Sequence, residues 1–357
     1  MESKFVIIAG NSHPKFVHSV VSALNVPLGR INAYKQSNNE ISVNVEESVR
    51  GRDVYVIQSV NIQGSVNSDV IEALMLNYAC FTSAAKSITL ILPYLPYCTQ
   101  SRMHGRSGVP LNLLAAIVKS SGVCRVVSID LYRKELQGFF QLPVENLRAS
   151  PFLIRAIQEN IPDYQNSILI AANTNALARA TAFGERLKLG PIEIGRISGT
   201  VEGDDHVEDL RMSPPPPQDR ISSFDLFPSQ IPTEPPKHKQ PLCVEGDVNG
   251  RIAIIVDDIL DNVKLHVEAA KLIKQRGAYK IYIVATHGIL SGNAPALIED
   301  SPIDEVYVTN TVPHEIQKMR THKIKTIDIS PLIVEAIRRI NNNESMGALF
   351  AQVHVGE

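Results

Sequence analysis

The chain is 357 residues long, 44% hydrophobic and 20% charged, and it contains no tryptophan. That length fits two domains or one large one, and the composition is that of an ordinary soluble globular protein. A formal net charge of −2 supplies no global attraction to nucleic acid or to a membrane surface, so neither is expected as a partner.

The chain begins almost directly with a strand-like run, Phe5–Ile8, with no signal-peptide pattern before it. Ser12 and His13 follow in "NSHPKF"; a lone histidine after a strand is more often structural than catalytic. Val54–Gln58 is the next apolar run. After it comes the helical stretch Val70–Cys80, where Val70, Ile71, Leu74, Met75 and Tyr78 fall on one face. Ile88–Leu92 leads into a glycine-containing loop with Arg102, His104 and Arg106, able to cover a polyphosphate or simply to meet solvent. Val126–Ile129 ends at Asp130, with Tyr132 two residues on. Asp130 is a weak candidate metal ligand, and Tyr132 a poor one, since a phenol titrates near pH ~10. Ser167–Ala171, Ile252–Val256, Ile281–Ala285 and Val306–Val308 complete the strand candidates, with His287 just beyond one of them.

These runs are continuously apolar, the mark of parallel strands buried on both faces, and strand–helix–strand repeats imply right-handed crossovers. "VYVIQSV" followed by "ITLILPYLPY" is echoed by "IAIIVDDIL" followed by "IYIVATHGIL", which reads as a duplicated α/β domain. From about Gly199 to Gly246 the rhythm stops. Nine of the 22 prolines lie between Pro214 and Pro241, so this reads as a disordered insertion, with Ser213-Pro214 a candidate modification or docking motif. Cys80, Cys98, Cys124 and Cys243 are scattered without metal-binding spacing, as in a reduced, cytoplasmic protein. No apolar run approaches membrane-helix length.

The chemistry concentrates at "IAIIVDDILDNVKLHVEAA". Asp257, Asp258 and Asp261 stand at a strand's carboxyl end, where α/β ligands bind. Adjacent carboxylates there suit ribose hydroxyls or Mg²⁺; the bland alternative is an acid-rich helix N-terminus. The following turn, Asn262-Val263-Lys264-Leu265, has no glycine and no hydroxyl. Phosphate cups are built from close-approaching backbone N–H groups, so Val263 and Leu265 argue against tight phosphate binding, while Lys264 leaves weak anion affinity open.

Together "GNSHPKF", "SNNEISVNVEESVRGRDVYVIQS", "LPYLPY", "QGFFQLPVENLRASP", "GDVNGRIAIIVDDILD", "IYIVATHGI", "YVTNTVPHE" and "AIRRINNNESM" resemble the phosphoribosyl pyrophosphate synthetase family. The resemblance runs through nearly the whole chain except the insertion. It implies an α/β fold of two tandem type I phosphoribosyltransferase-like domains, each a mostly parallel sheet flanked by helices. Boundaries fall at 4–148 and 149–312, with the proline-rich insertion at about 199–246, and 313–357 is expected to pack back on the N-terminal domain. Active members transfer the β,γ-diphosphoryl group of ATP to the 1-hydroxyl of ribose 5-phosphate with Mg²⁺.

Set beside that family, the chain departs where the chemistry is. The acids Asp257, Asp258 and Asp261 match its ribose-phosphate motif, but Asn262, Val263, Lys264 and Leu265 replace the cup. Its Asp-Leu-His becomes Asp130-Leu131-Tyr132, and Thr99 stands where an arginine precedes Gln100. Gln36 replaces the adenine-stacking phenylalanine, although Ser37, Asn38 and Glu40 match, and the pyrophosphate segment becomes "AANTNA", Ala171 to Ala176. Ser48, Arg50, Gln137, Asn146 and Ser345 match positions of a regulatory anion site at subunit boundaries. The combination is similar to the catalytically silent, synthetase-associated branch of the family. It implies a subunit that joins catalytic synthetase chains and restrains them, with no required cofactor and Mg²⁺ at most weakly held. Homo-oligomers are a further expectation, and the competing expectation is an active ribose-phosphate diphosphokinase.

Overall fold

All eight apolar runs become strands of two largely parallel sheets in the structure, a computed structural model that describes residues 5–101, 108–173, 176–189, 194–198 and 242–350. The first unit runs β1 (Phe5–Ala9), α1 (Pro14–Leu24), β2 (Ile31–Lys35), β3 (Ile41–Val45), β4 (Asp53–Ile57), α2 (Val66–Thr82), β5 (Ser87–Leu92), α3 (Pro110–Ser120), β6 (Arg125–Ile129) and β7 (Val144–Leu147). Its five-stranded sheet has the order β1-β4-β5-β6-β7, all parallel, and β2 and β3 form a separate antiparallel hairpin.

The second unit runs α4 (Ser150–Asn160), β8 (Ser167–Ala171), α5 (Leu177–Leu187), β9 (Ile194–Ser198), β10 (Cys243–Val244), β11 (Ile252–Leu260), α6 (Lys264–Gln275), β12 (Lys280–Gly288), α7 (Ala294–Glu299), β13 (Glu305–Thr309), α8 (Glu315–Arg320), β14 (Ile324–Ile327), α9 (Ser330–Asn341) and α10 (Gly347–Phe350). Its seven strands lie in the order β10-β9-β8-β11-β12-β13-β14, with only β10 antiparallel. The expected tandem architecture of mostly parallel sheets flanked by helices is therefore present.

Two expected boundaries shift. The second sheet does not stop at 312, because β14 pairs with β13. The irregular insertion does not extend to 246, because Cys243 and Val244 pair with Ser198 and Ile197. The rest of it, with Ser213, lies outside the described residues.

Apolar packing arranges the molecule in layers. One face of both sheets closes on a shared middle layer, where Phe16 and Val20 of α1, Leu153 and Ile157 of α4, Phe183 of α5 and Ile333 and Ile337 of α9 join one buried cluster. α10 lies by β7, where the Arg148 amide donates to the Leu349 carbonyl over 3.3 Å. The outer face of the first sheet is covered by α2 and α3, and that of the second by α6 and α7. On α2 the apolar stripe does not turn wholly inward. Ala73, Leu74, Leu76 and Cys80 are buried, while Ile71, Met75 and Tyr78 stand out in solvent.

Candidate functional site

Parallel strands deliver their carboxyl ends to a common crevice, and here the two sheets present those ends to each other. Asp130 follows β6 directly, in a left-handed conformation at φ 40°, and its side chain is fully buried. Facing it from the second unit are Thr286 and His287 of β12, Asp257 and Asp258 of β11, and Arg179 of α5.

Arg179 sits at the centre. Its Nε lies 2.7 Å from Asp258 Oδ1, and its Nη1 donates to Asp130 Oδ2 over 3.2 Å and to the Thr286 hydroxyl over 2.7 Å. Arg148 reaches Asp130 Oδ1 over 3.4 Å, and the Thr286 hydroxyl and the Ala149 amide donate to Asp130 Oδ2 over 2.9 and 3.3 Å. Burial pushes the Asp130 carboxyl up, but Arg179, Arg148 and Thr286 together outweigh it and hold it below the usual carboxylate range. Asp258 goes the other way, to about 6, because burial and the nearby Asp257 and Asp130 charges outweigh Arg179.

Asp257 is also engaged by the protein itself. Its Oδ1 accepts from Asn173 Nδ2 over 3.0 Å and from the Asp258 amide over 2.8 Å, and its Oδ2 lies 2.9 Å from His266 Nε2. His287 bridges the two units. Its Nε2 faces the carbonyls of Ile129 and Asp130 at 3.1 and 3.3 Å, so that nitrogen carries the proton and Nδ1 accepts from the Thr311 hydroxyl at 2.9 Å. Burial pushes His287 down to about 4, so the ring is neutral near pH 7.

The turn after β11 is closed in an unexpected way. Val263 does not line the crevice, because its side chain is fully buried in the outer cluster of the second sheet, and Leu265 packs at that cluster's margin. The Lys264 amide at the start of α6 donates to Asn262 Oδ1 over 3.2 Å, so one amide a phosphate would use is capped locally. The Lys264 side chain is exposed, and Asp261 accepts from the Ser291 amide over 3.2 Å.

The remaining sequence candidates do not gather here. Ser37, Asn38 and Glu40 lie in the exposed β2–β3 turn, where Asn38 bonds Glu40 through both side-chain and backbone groups. Thr99 and Gln100 are exposed before a loop whose Arg102, His104 and Arg106 lie outside the described residues. Tyr132 is half-buried under the Arg133 guanidinium. Of the five anion-site residues, Ser48 and Arg50 precede β4, Gln137 and Asn146 lie beyond β6, and Ser345 follows α9. Asn146 is buried and accepts from the Leu131 amide.

Asp130, expected as a weak metal ligand, instead has both oxygens taken by protein donors. Asp257 is similarly engaged, Asp258 is held at Oδ1 by Arg179, and among the described residues no group of three His, Cys, Asp or Glu side chains is placed to hold a metal ion. Mg²⁺ at Asp130 would have to displace the Arg179, Arg148 and Thr286 donors from its carboxylate. Arg179, Arg148, His266 and Thr286 were not singled out from sequence. An arginine in the alanine-rich "LARATAFGERL" looks like any solvated helix position, and only the fold turns it to the acids.

Comparison with known proteins supplies the rest. Residues 163–351 match the model of the phosphoribosyl synthetase-associated domain, and residues 5–122 match the N-terminal domain of ribose phosphate pyrophosphokinase. A phosphoribosyl pyrophosphate synthase-associated protein 2 from Xenopus tropicalis is 47% identical over 99% of this chain and 98% of its own. The chain belongs to the phosphoribosyl synthetase-associated family. Ribose-phosphate pyrophosphokinase 2 of Schizosaccharomyces pombe is more distant, 35% identical over 97% of both chains. The crystal structure of a phosphoribosylpyrophosphate synthetase from Mycobacterium smegmatis shares the fold, with a TM-score of 0.79 and 29% identity over 96% of this chain and 100% of that one. The synthetase-associated chain thus keeps the synthetase scaffold while its crevice acids are bound internally.

Proposed function

We propose that the chain is a non-catalytic regulatory subunit that assembles with catalytic phosphoribosyl pyrophosphate synthase chains and lowers their rate of product formation. The observation that carries this reading is the self-saturated crevice. Asp258 and Asp130 are held by Arg179, Asp257 is held by Asn173 and His266, and an amide of the cup is capped by Asn262. Ribose hydroxyls and a phosphate would have to displace bonds already made, at the cost of leaving buried charge unpaired. The relatives named as synthase-associated support the choice of partner. The reading requires no metal. It places the protein in the cytoplasm, in keeping with four unpaired cysteines. Any anion site at Ser48, Arg50, Gln137, Asn146 and Ser345 would be completed by a neighbouring subunit.

The test is a diphosphokinase assay with ATP, ribose 5-phosphate and Mg²⁺, run on the chain alone and mixed with a catalytic synthase. No turnover alone and a reduced synthase rate in the mixture are expected. Turnover by the chain alone, or a mixture rate equal to that of the synthase, overturns the reading.

A further inference from the structure

Asn249-Gly250 is the one Asn-Gly pair in the chain. Asparagine before glycine is chemically labile, because a residue without Cβ leaves the following amide unhindered. The reaction is a cyclisation. The Gly250 nitrogen forms a bond to Asn249 Cγ, the Cγ–Nδ2 bond breaks, and ammonia leaves with the proton given up by the Gly250 amide. Water then adds to one carbonyl of the succinimide and breaks that carbonyl's bond to the nitrogen. Opening at Cγ yields aspartate. Opening at the backbone carbonyl yields isoaspartate, with an extra methylene in the main chain. The net change is amide plus water to carboxylic acid plus ammonia.

The fold sets this pair in a corner between the approach to β11 and the end of α6. Val248–Arg251 is a tight turn, in which the Arg251 amide donates to the Val248 carbonyl over 3.2 Å and Gly250 takes the left-handed position at φ 68°. The Gly250 amide, the nucleophile of the cyclisation, donates to the Gly277 carbonyl over 3.0 Å. Gly277 itself follows α6 at φ 91°, and a Cβ there would lie 2.4 Å from Asn249 Oδ1, so the side-chain amide rests against bare glycine. Asp247 Oδ1 accepts from the Asn249 amide over 3.1 Å, and Arg276 Nη1 donates to the Val244 carbonyl beside the turn. To cyclise, the Gly250 nitrogen must swing toward Cγ and lose its proton, and its bond to Gly277 opposes both. Asn249, Gly250, Lys274, Arg276 and Gly277 are all exposed, so the corner can open without disturbing the core. An open pocket of about 460 Å³, lined by Asp247, Asn249, Gln275 and Arg276 among others, brings water to the site.

We propose that Asn249 is a guarded deamidation site, kept unreacted by the contact between Gly250 and Gly277 and converted to aspartate or isoaspartate when that corner opens. The conversion consumes only water and runs one way. In isoaspartate chains the lengthened turn no longer fits the Gly277 carbonyl, so each such event leaves a lasting mark of local opening. The inference is independent of the regulatory reading above.

The experiment incubates the full chain in neutral buffer and in urea and follows Asn249 by peptide mass spectrometry, with isoaspartate scored separately. Native conversion is expected to be at least ~10-fold slower than conversion in urea. Gly277→Ala strains a left-handed position and drives a Cβ against Asn249, and it should recover most of that difference. Arg276→Ala, a milder loosening of the same corner, should recover part of it. Ile333→Ala weakens the shared core far from the turn and should leave the native rate unchanged. Thermal unfolding confirms that each variant is folded during the assay. Equal rates in buffer and urea overturn the guard, and no conversion in urea overturns the site. Unchanged rates in both corner variants, or acceleration by Ile333→Ala as large as theirs, assign the protection to global stability and overturn the local mechanism.

Discussion

Arg179 serves two carboxylates from opposite sheets, and both are buried. Its replacement by methionine, similar in length but uncharged, leaves Asp130 and Asp258 without their shared cation. Removing one partner from a buried pair typically costs ~3–5 kcal/mol, so Arg179→Met should lower the free energy of unfolding in urea by about that amount. The two titrating groups of the cluster act in opposite senses. Asp258 has a folded value of about 6 against the ordinary 3.8, so the folded state holds more protons between these values. Stability from this group is present below about 4 and lost as the pH rises toward 6. His287 has a folded value of about 4 against 6.5, so its contribution is lost as the pH falls through that window. An Asp258→Asn variant should therefore lack the acid-side gain and keep only the His287 slope. Unfolding free energies of both proteins from pH 4 to 7 check this, and parallel profiles would contradict it.

Gly122 shows how closely the outer elements are fitted. It follows α3 at φ 91°, and a Cβ there would meet the Phe81 ring of α2 at 2.5 Å. Gly122→Ala is thus strained in backbone and in space, by ~1–3 kcal/mol. Phe81→Ala in the same chain should return the steric part, so a double-mutant cycle in urea should show a coupling between the two sites. Elements also differ in how openly the sequence declares them. Strands such as Ile252–Leu260 were legible because burial on both faces demands an unbroken apolar run. β2, β3, β7, β10 and β14 were not, because edge and hairpin strands lie partly in solvent and carry residues such as Asn32 and Lys325. The α2 stripe was found as a face, but periodicity carries no sign of which way a face points. The crevice acids were visible from their place after β11. Their partners were not, since Arg179, Arg148 and Thr286 come from three separate stretches that only tertiary packing unites.

At the scale of the whole molecule, the shared middle layer decides how the two units behave. Ile7 and Val127 of the first sheet and Leu169 and Val284 of the second belong to one buried cluster with α1, α4, α5 and α9. His13 Nε2 at 2.9 Å from the Asn310 carbonyl and the Ser59 hydroxyl at 2.6 Å from the Thr311 carbonyl add polar ties across the boundary. The described units should therefore melt in one calorimetric transition whose van't Hoff and calorimetric enthalpies agree. Ile333→Ala, at a fully buried position of α9, should move that single transition down by the equivalent of ~2–5 kcal/mol rather than split it. Two resolved peaks would refute the shared core. The same layering governs how such a chain can diverge. A residue in the middle layer answers to both halves at once, whereas α2, α3, α6 and α7 each answer to one sheet. Evolution is thus free to rewrite the outside, charged on one flank and apolar on the other, while the inside drifts only in step across the boundary between the two sheets.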